Sequence, residues 1–292
     1  SLDKTMKFLS YNIQYGKGKD GRVDIDRIVD EIDGADIVAM QELDRFWPRT
    51  EYADQVQQIT SAMPDYYWVY GAGVDLHADE HSNHNKGRRR QFGNLLLSRL
   101  PIISSRNHLL PKYGSTDPLS LQRSALEATI LCGKQLLRIY SIHLTHLSSH
   151  TRIPQINRLL KIHRNAVHEG FPVSGDLNGL DWNDGVSDQT VPAEAILMGD
   201  FNLKPDSNEY LSLVGPVSDY GGHITSPAGF VDAWVQCGHD KMAGITTEVT
   251  GAPARLDYCF VSTSLRHQIQ TCRVDDQAQG SDHQPLWTEI DF

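Results

Sequence analysis

Ala195-Ile196-Leu197-Met198-Gly199-Asp200-Phe201-Asn202 sets a short apolar run directly against a carboxylate, an aromatic ring and an amide. The run is of strand length. Comparable β-rich runs recur at residues 6–13, 36–41, 66–70, 94–98, 136–143, 256–261 and 284–290. Helical patterns fall between some of them. Residues 24–32 carry Ile25, Ile28, Val29 and Ile32 at helix spacing, 51–63 follow Thr50 as an expected N-cap, and 152–168 form the longest helical stretch. Strands outnumber helices, which predicts two packed sheets with helices outside.

The chain has 292 residues, 39% of them hydrophobic, which suits a globular protein with a sizeable core. Its formal charge of −10 lowers the expectation of a nucleic-acid binder, because gripping phosphates requires a basic face. Carboxylates gathered at a metal site would contribute to the same charge. No run of about 18 apolar residues occurs, so no spanning helix is expected. Residues 1–7 lead straight into a strand pattern without an apolar leader core. The default expectation is the cytoplasm, with a cleaved leader as the alternative. Cys132, Cys237, Cys259 and Cys272 have no CxxC spacing, which argues against a structural zinc site. They read as buried or half-buried thiols, with a disulfide left open. No motif for a protein partner is visible.

Several of the runs end in a residue suited to chemistry. Residues 6–13 carry Asn12, 36–41 run into Glu42, 136–142 into His143, and 195–199 into Asp200 and Asn202. Asp257 opens another apolar run, and Ser281-Asp282-His283 precedes the last one. Loops at strand ends are where scaffolds place reactive groups. A hard divalent cation takes carboxylates and waters, which Glu42 and Asp282 could supply. Attack on phosphorus needs an oriented water and a carboxylate to accept its proton, a role that suits Asp200. Asn202 could hold phosphate or the metal shell. His143, His283 and Asn12 could donate to phosphate oxygens, and Asp257 could orient His283 and stabilise its charge. Each residue also has a plainer reading: Asn12 and the 199–202 tetrapeptide as turns, Glu42 as a solvated carboxylate, 281–283 as a cap or loop, and Asp257 as a partner of Arg255.

Taken in order, these segments resemble the endonuclease/exonuclease/phosphatase superfamily. The matching stretches are Ser10-Tyr11-Asn12-Ile13, Gln41-Glu42, Phe92-Gly93-Asn94-Leu95-Leu96-Leu97-Ser98, Ser141-Ile142-His143-Leu144, Gly199-Asp200-Phe201-Asn202, Asp257-Tyr258 and Ser281-Asp282-His283-Gln284-Pro285. The resemblance implies one α+β domain over residues 1–292, a four-layer αββα sandwich of two mainly antiparallel sheets flanked by helices. It implies a phosphoric ester hydrolase dependent on Mg²⁺, with Mn²⁺ able to substitute. Glu42 would be a metal ligand and Asp282 a second, Asp200 the water-activating base, and Asp257–His283 a pair acting on the phosphate. Asn12 and Asn202 would contact phosphate or the metal shell. His143 stands where some members have His and others Tyr. Arg123 resembles an arginine that some members place near the phosphate; a strand-edge arginine in a salt bridge is the alternative.

Ser174-Gly175-Asp176-Leu177-Asn178 repeats the Gly-Asp-x-Asn pattern. It follows a weak strand signal inside a polar excursion at 169–192, so Asp200 is preferred as the base. A second excursion, at 71–92, ends in Lys86-Gly87-Arg88-Arg89-Arg90 and holds His77, His81 and His84. The basic run could place guanidinium groups on an anionic substrate or be a solvated loop, and the histidines read as surface rather than a metal site. The expected substrate is a small-molecule or lipid head-group phosphodiester, with DNA or RNA as the alternative and a non-catalytic binding protein as a third reading.

Overall fold

Along the first strand, Phe8, Ser10 and Asn12 face one way and Leu9 and Tyr11 the other, and all five are buried. A strand covered on both faces belongs to the middle of a layered structure. The structure is a computed structural model that describes residues 4–78, 85–186 and 190–292. In chain order its elements are β1 (Thr5–Asn12), α1 (Ile25–Glu31), β2 (Ile37–Arg45), α2 (Gln55–Ala62), β3 (Tyr67–His77), β4 (Arg89–Ser98), β5 (Ile102–Leu109), β6 (Ser124–Cys132), β7 (Gln135–His143), α3 (Ser149–Glu169), β8 (Ala195–Asp200), α4 (Asn208–Val214), β9 (Phe230–Asp232), α5 (Ala233–Gln236), β10 (Asp257–Ser262), β11 (Ile269–Val274) and β12 (Leu286–Asp291).

The strands form two six-stranded sheets, ordered β11-β12-β1-β2-β4-β3 and β5-β6-β7-β8-β10-β9. Each sheet has one parallel pair, β1–β2 and β7–β8, and is otherwise antiparallel. Side-chain alternation sorts the core into three seams. Phe8, Ala39, Ile139, Ile196, Met198 and Cys259 pack between the sheets. Leu9, Tyr11, Val38 and Met40 pack against α1 and α2 through Ile25, Ile28, Val56 and Ile59. Tyr140, Ile142, Leu197, Tyr258 and Phe260 pack against α3 and α4 through Ile156, Leu159, Tyr210 and Leu213. The result is the expected four-layer sandwich.

Two local expectations fail. The N-cap of α2 is Asp54, whose carboxylate accepts from Gln57 N; Thr50 ends a short 3-10 turn instead. Glu51 and Tyr52 adopt left-handed backbone conformations there, which no helix tolerates. Much of the 71–92 excursion is strand, with His77 paired to Arg89 in an extended β3–β4 ribbon. Its outer-edge polar side chains hid the alternation. His81 and His84 lie outside the described residues. All four cysteines are free thiols.

A buried cation ties α3 to its sheet. Arg138 is fully buried on β7, donating to the Tyr140 hydroxyl at 2.7 Å, to Ala193 O at 3.0 Å and to His163 Nδ1 at 2.7 Å. A guanidinium only donates, so Nδ1 must offer a lone pair and the ring must be neutral. Burial and the Arg138 charge push His163 down to about 4 from its ordinary 6.5. Between those values the unfolded chain takes up a proton that the folded chain refuses. Stability present above the higher value is therefore lost as pH falls toward the lower, by on the order of 2–3 kcal/mol. Thermal melts across that window should show this loss, and His163→Gln should flatten it. Identical slopes in the two proteins would contradict it.

Candidate active site

The residues singled out at strand ends meet at one end of the inter-sheet seam, and strand periodicity explains why. The inward row Phe8–Ser10 continues to Asn12, Ile139–Ser141 to His143, Ile196–Met198 to Asp200, and, running backwards along the antiparallel β10, Val261–Cys259 to Asp257. Register fixes their neighbours: His143 pairs with Asp200 across the parallel β7–β8 ladder, and Asp257 pairs with Asp200 across β8–β10. The site is thus the core row turned polar at its last positions. Gly199 permits the arrangement, since a Cβ there would overlap the Ile142 carbonyl oxygen. Glu42 breaks parity. It sits in a bulge of β2 between Met40 and Leu43, at φ 63°, which re-aims its carboxylate into the site.

Asp200 is at the centre and 1% exposed. Its Oδ2 lies 2.9 Å from Asn12 Nδ2, 3.3 Å from His143 Nε2 and 3.5 Å from His283 Nε2. Burial alone would raise this carboxyl. The His283 and His143 rings and the Asn12 amide outweigh it and hold the group well below the usual carboxylate range. Asn12 also donates to Glu42, while its Oδ1 accepts from Gln14 N at 3.0 Å. That backbone donor fixes the amide orientation, so Asn12 presents N–H groups to both carboxylates. His283 Nδ1 donates to Asp257 Oδ2 at 2.7 Å. Burial opposes charge on the His283 ring, but Asp257 and Asp200 on either side carry it well above the ordinary imidazole range. Asp257 therefore pairs with His283, and Arg255 pairs instead with Asp232 at 2.6 Å.

The segment bearing Asp282 and His283 is tied down from several directions. Ser281 Oγ donates to Asn12 O at 2.6 Å, Thr247 Oγ1 to Asp282 O at 2.8 Å, and Glu31 on α1 accepts from Gln279 N at 2.7 Å and Gly280 N at 3.1 Å. Asn202, at φ 51°, donates its side-chain amide to Leu144 O at 2.8 Å and its backbone N–H to Asp200 Oδ1 at 3.0 Å. Arg123 immediately precedes β6. It is 6% exposed and forms no salt bridge among the described residues; its Nη1 and Nη2 reach His143 Nδ1 at 3.0 Å and His146 Nδ1 at 3.1 Å.

Of these residues, Glu42, Arg123, His143, Asp200, Asn202, Asp282 and His283 line a cleft of about 640 Å³, a volume suited to a small ligand. Its walls add residues that sequence reasoning missed: His146, Arg152 and Lys204, and an apolar rim of Leu119, Leu121 and Val249. His146 stands three residues after His143, beyond the strand where pattern reading stopped. Leu119 and Leu121 come from a loop with no periodic signal. Two expected elements lie elsewhere. Asp176 is exposed and accepts from Asn178 N at 3.0 Å in a surface turn. The 86–90 run does not line the cleft: Arg88 stacks on Phe46 at 4.3 Å, Arg89 pairs with Asp75 at 2.8 Å, and Arg90 donates to Phe46 O at 2.7 Å.

The donor set fits a hard divalent cation. Glu42 and Asp200 each bring a carboxylate oxygen within 4.8 Å of the other, while the His143 ring beside them is engaged by Arg123 through Nδ1 and faces Asp200 through Nε2. Glu42 and Asp282 also both line the cleft. Burial, then the nearby Glu42 and Asp200 carboxylates, raise the Asp282 carboxyl, against an opposing pull from His283. Such like-charge crowding is what a bound cation relieves.

The profile of the Endonuclease/Exonuclease/phosphatase family matches residues 9–283, and the chain belongs to that family, whose members are hydrolytic phosphoesterases. No curated protein sequence matches the chain. Among solved structures, an endonuclease/exonuclease/phosphatase from Beutenbergia cavernae is similar at 19% identity and TM-score 0.64, over 99% of this chain and 72% of that one. Truncated TDP2 from Caenorhabditis elegans is similar at 17% identity and TM-score 0.62, over 99% and 98%. A mannosyl-6-phosphatase from Bacteroides thetaiotaomicron is similar at 16% identity and TM-score 0.61, over 98% and 100%. At these identities the likeness speaks for the fold alone. Among the described residues no helix is long and apolar enough to cross a membrane.

Proposed function

We propose that the protein is a Mg²⁺-dependent phosphodiesterase acting on a small-molecule or lipid head-group phosphodiester. The observation that carries this reading is Asp200 Oδ2 held between the Nε2 atoms of His143 and His283, at 3.3 and 3.5 Å, on the floor of a cleft that also presents Glu42 and Asp282. Asp200 stays ionised at all ordinary pH and orients the attacking water, accepting its proton as the new bond to phosphorus forms and the ester P–O bond breaks, the departing oxygen taking a proton from water. His283, charged through Asp257, donates Nε2–H to a phosphate oxygen as negative charge develops there. Asn12 holds the Glu42 and Asp200 carboxylates in fixed relation, and Asn202 braces the Asp200 loop. Glu42 and Asp282 would hold the cation, which when bound supplies positive charge to the phosphate.

The apolar rim and modest cleft volume favour a small substrate with an apolar portion, and the net charge of −10 disfavours a long polyanion. Nucleic acid retains one supporting observation, the guanidinium–ring stacks of Arg88 on Phe46 and of Arg49 on Tyr15 at 3.9 Å. A panel of aryl phosphomonoester, aryl phosphodiester, sphingomyelin, inositol phosphates, plasmid and single-stranded oligonucleotide with Mg²⁺ separates these. Turnover of a small diester or lipid is expected. Preference for the polynucleotides, with steep loss of binding in added salt, would replace this reading with the nuclease. Inertness across the panel with Mg²⁺ and with Mn²⁺ would favour a binding protein.

A further inference from the structure

Arg123 is the most buried of the arginines and lysines lining the cleft, and its two terminal nitrogens are spent on two imidazoles. Nη1 meets His143 Nδ1 at 3.0 Å and Nη2 meets His146 Nδ1 at 3.1 Å. A guanidinium has donors and no acceptor, so each Nδ1 must carry a lone pair. A neutral imidazole with its lone pair on Nδ1 has its single proton on Nε2. One buried side chain therefore sets the tautomer of both rings. For His143, the protonated Nε2 is the atom 3.3 Å from Asp200 Oδ2, which also leaves the ring without a lone pair for a metal. For His146, Nε2–H belongs to a ring that lines the same cleft as Asp200 and His283 and is open to solvent.

We propose that Arg123 is a positioning residue that locks His143 and His146 as Nε2–H tautomers, making His146 a second, neutral hydrogen-bond donor to the substrate's phosphoryl group. The inference rests on the phosphoester reading of the cleft. Arg123 thereby acts on phosphate through two imidazoles. Burial, then the Arg123 charge, push the His146 ring down from the ordinary imidazole value, so it remains neutral near pH 7. The same bond type recurs at Arg138 and His163, where the ring is pushed down to about 4. A neutral donor suits a cleft that already has a charged ring in His283: it binds phosphate without raising the Asp200 environment's positive charge further.

Imidazole ¹⁵N–¹H correlation spectra of the full chain near pH 7 test the lock directly, with His143→Gln and His146→Gln used for assignment. Both rings should show unprotonated Nδ1 and protonated Nε2, and inorganic phosphate should shift the His146 Nε2 signal. Arg123→Gln should convert His146 to a tautomer mixture, while His143, whose Nε2 still faces the Asp200 carboxylate, should change less. Protonated Nδ1 or averaged tautomers in the unsubstituted protein, or no response of His146 to phosphate, would overturn the proposal. Kinetics on a turned-over phosphoester add a second readout. The glutamine amide reaches the place of Nε2, whereas the asparagine amide reaches that of Nδ1. His146→Gln should keep KM within about threefold, and His146→Asn should raise it about tenfold with kcat little changed. Equal KM values for the two variants would count against it. The expected spectra together with no turnover of any phosphoester would instead sink the hydrolase reading and leave the tautomer lock standing.

Discussion

Asp200→Ala is expected to lower kcat by about 10³-fold or more, roughly 4 kcal/mol of transition-state stabilisation. The size follows from the site's construction. Asn12 and two imidazoles converge on Oδ2 of this one buried carboxylate, and removing it takes one partner from the Asn12 amide and the Nε2 partner from each ring. Loss of the proton acceptor and disorder of its neighbours act together, so the single substitution approaches the effect of removing the whole constellation. Asp200→Asn keeps the shape and separates the two causes: it should fold normally and remain as inactive. Asp176→Ala, in the surface turn, should have nearly normal activity. A near-normal Asp200→Ala enzyme beside a dead Asp176→Ala enzyme would place the base in the wrong Gly-Asp-x-Asn.

His283→Asn is expected to lower kcat by about 10²–10³-fold, the scale of losing one preorganised donor to developing charge. Asparagine is chosen over alanine for a physical reason. His283 is 4% exposed and its Nδ1 satisfies the buried Asp257 carboxylate at 2.7 Å. Alanine would strand that carboxylate, a loss of about 3–5 kcal/mol that could unfold the protein and imitate a catalytic defect. The asparagine amide reaches the Nδ1 position and keeps the Asp257 contact while deleting Nε2. A folded His283→Asn protein with near-normal kcat would remove the imidazole from the chemistry.

The sequence made the interior strands legible because their runs are nearly all apolar, as in residues 195–198 and 136–142, and because each ends abruptly in Asp, His, Asn or Glu. β5, β6, β9 and β11 were not anticipated. Glu127 and Thr129 on β6 are buried polar residues, Glu127 accepting from the Tyr140 hydroxyl at 2.5 Å, so the strand reads as mixed. β11 alternates at a sheet edge, where pattern is weakest. At the site, Asn12, Glu42, His143, Asp200, Asp257 and His283 were found because strand parity and family order agree. Arg123 was picked out by its resemblance to an arginine near the phosphate, and its guanidinium lies against two imidazoles. No local pattern distinguishes an arginine that meets phosphate from one that meets two imidazoles, since that depends on the packing of β6 beside β7. His146 and the apolar rim belong to loops, and loops leave no periodic trace.

Phosphoester hydrolysis by this protein should depend on a divalent cation held beside Asp200 by Glu42 and Asp282. The direct measurement is the rate on the preferred panel substrate with Mg²⁺, after excess chelator, and after Mg²⁺ is restored. Essentially all activity should be lost with chelator and should return in full with Mg²⁺. Undiminished turnover in excess chelator would contradict it.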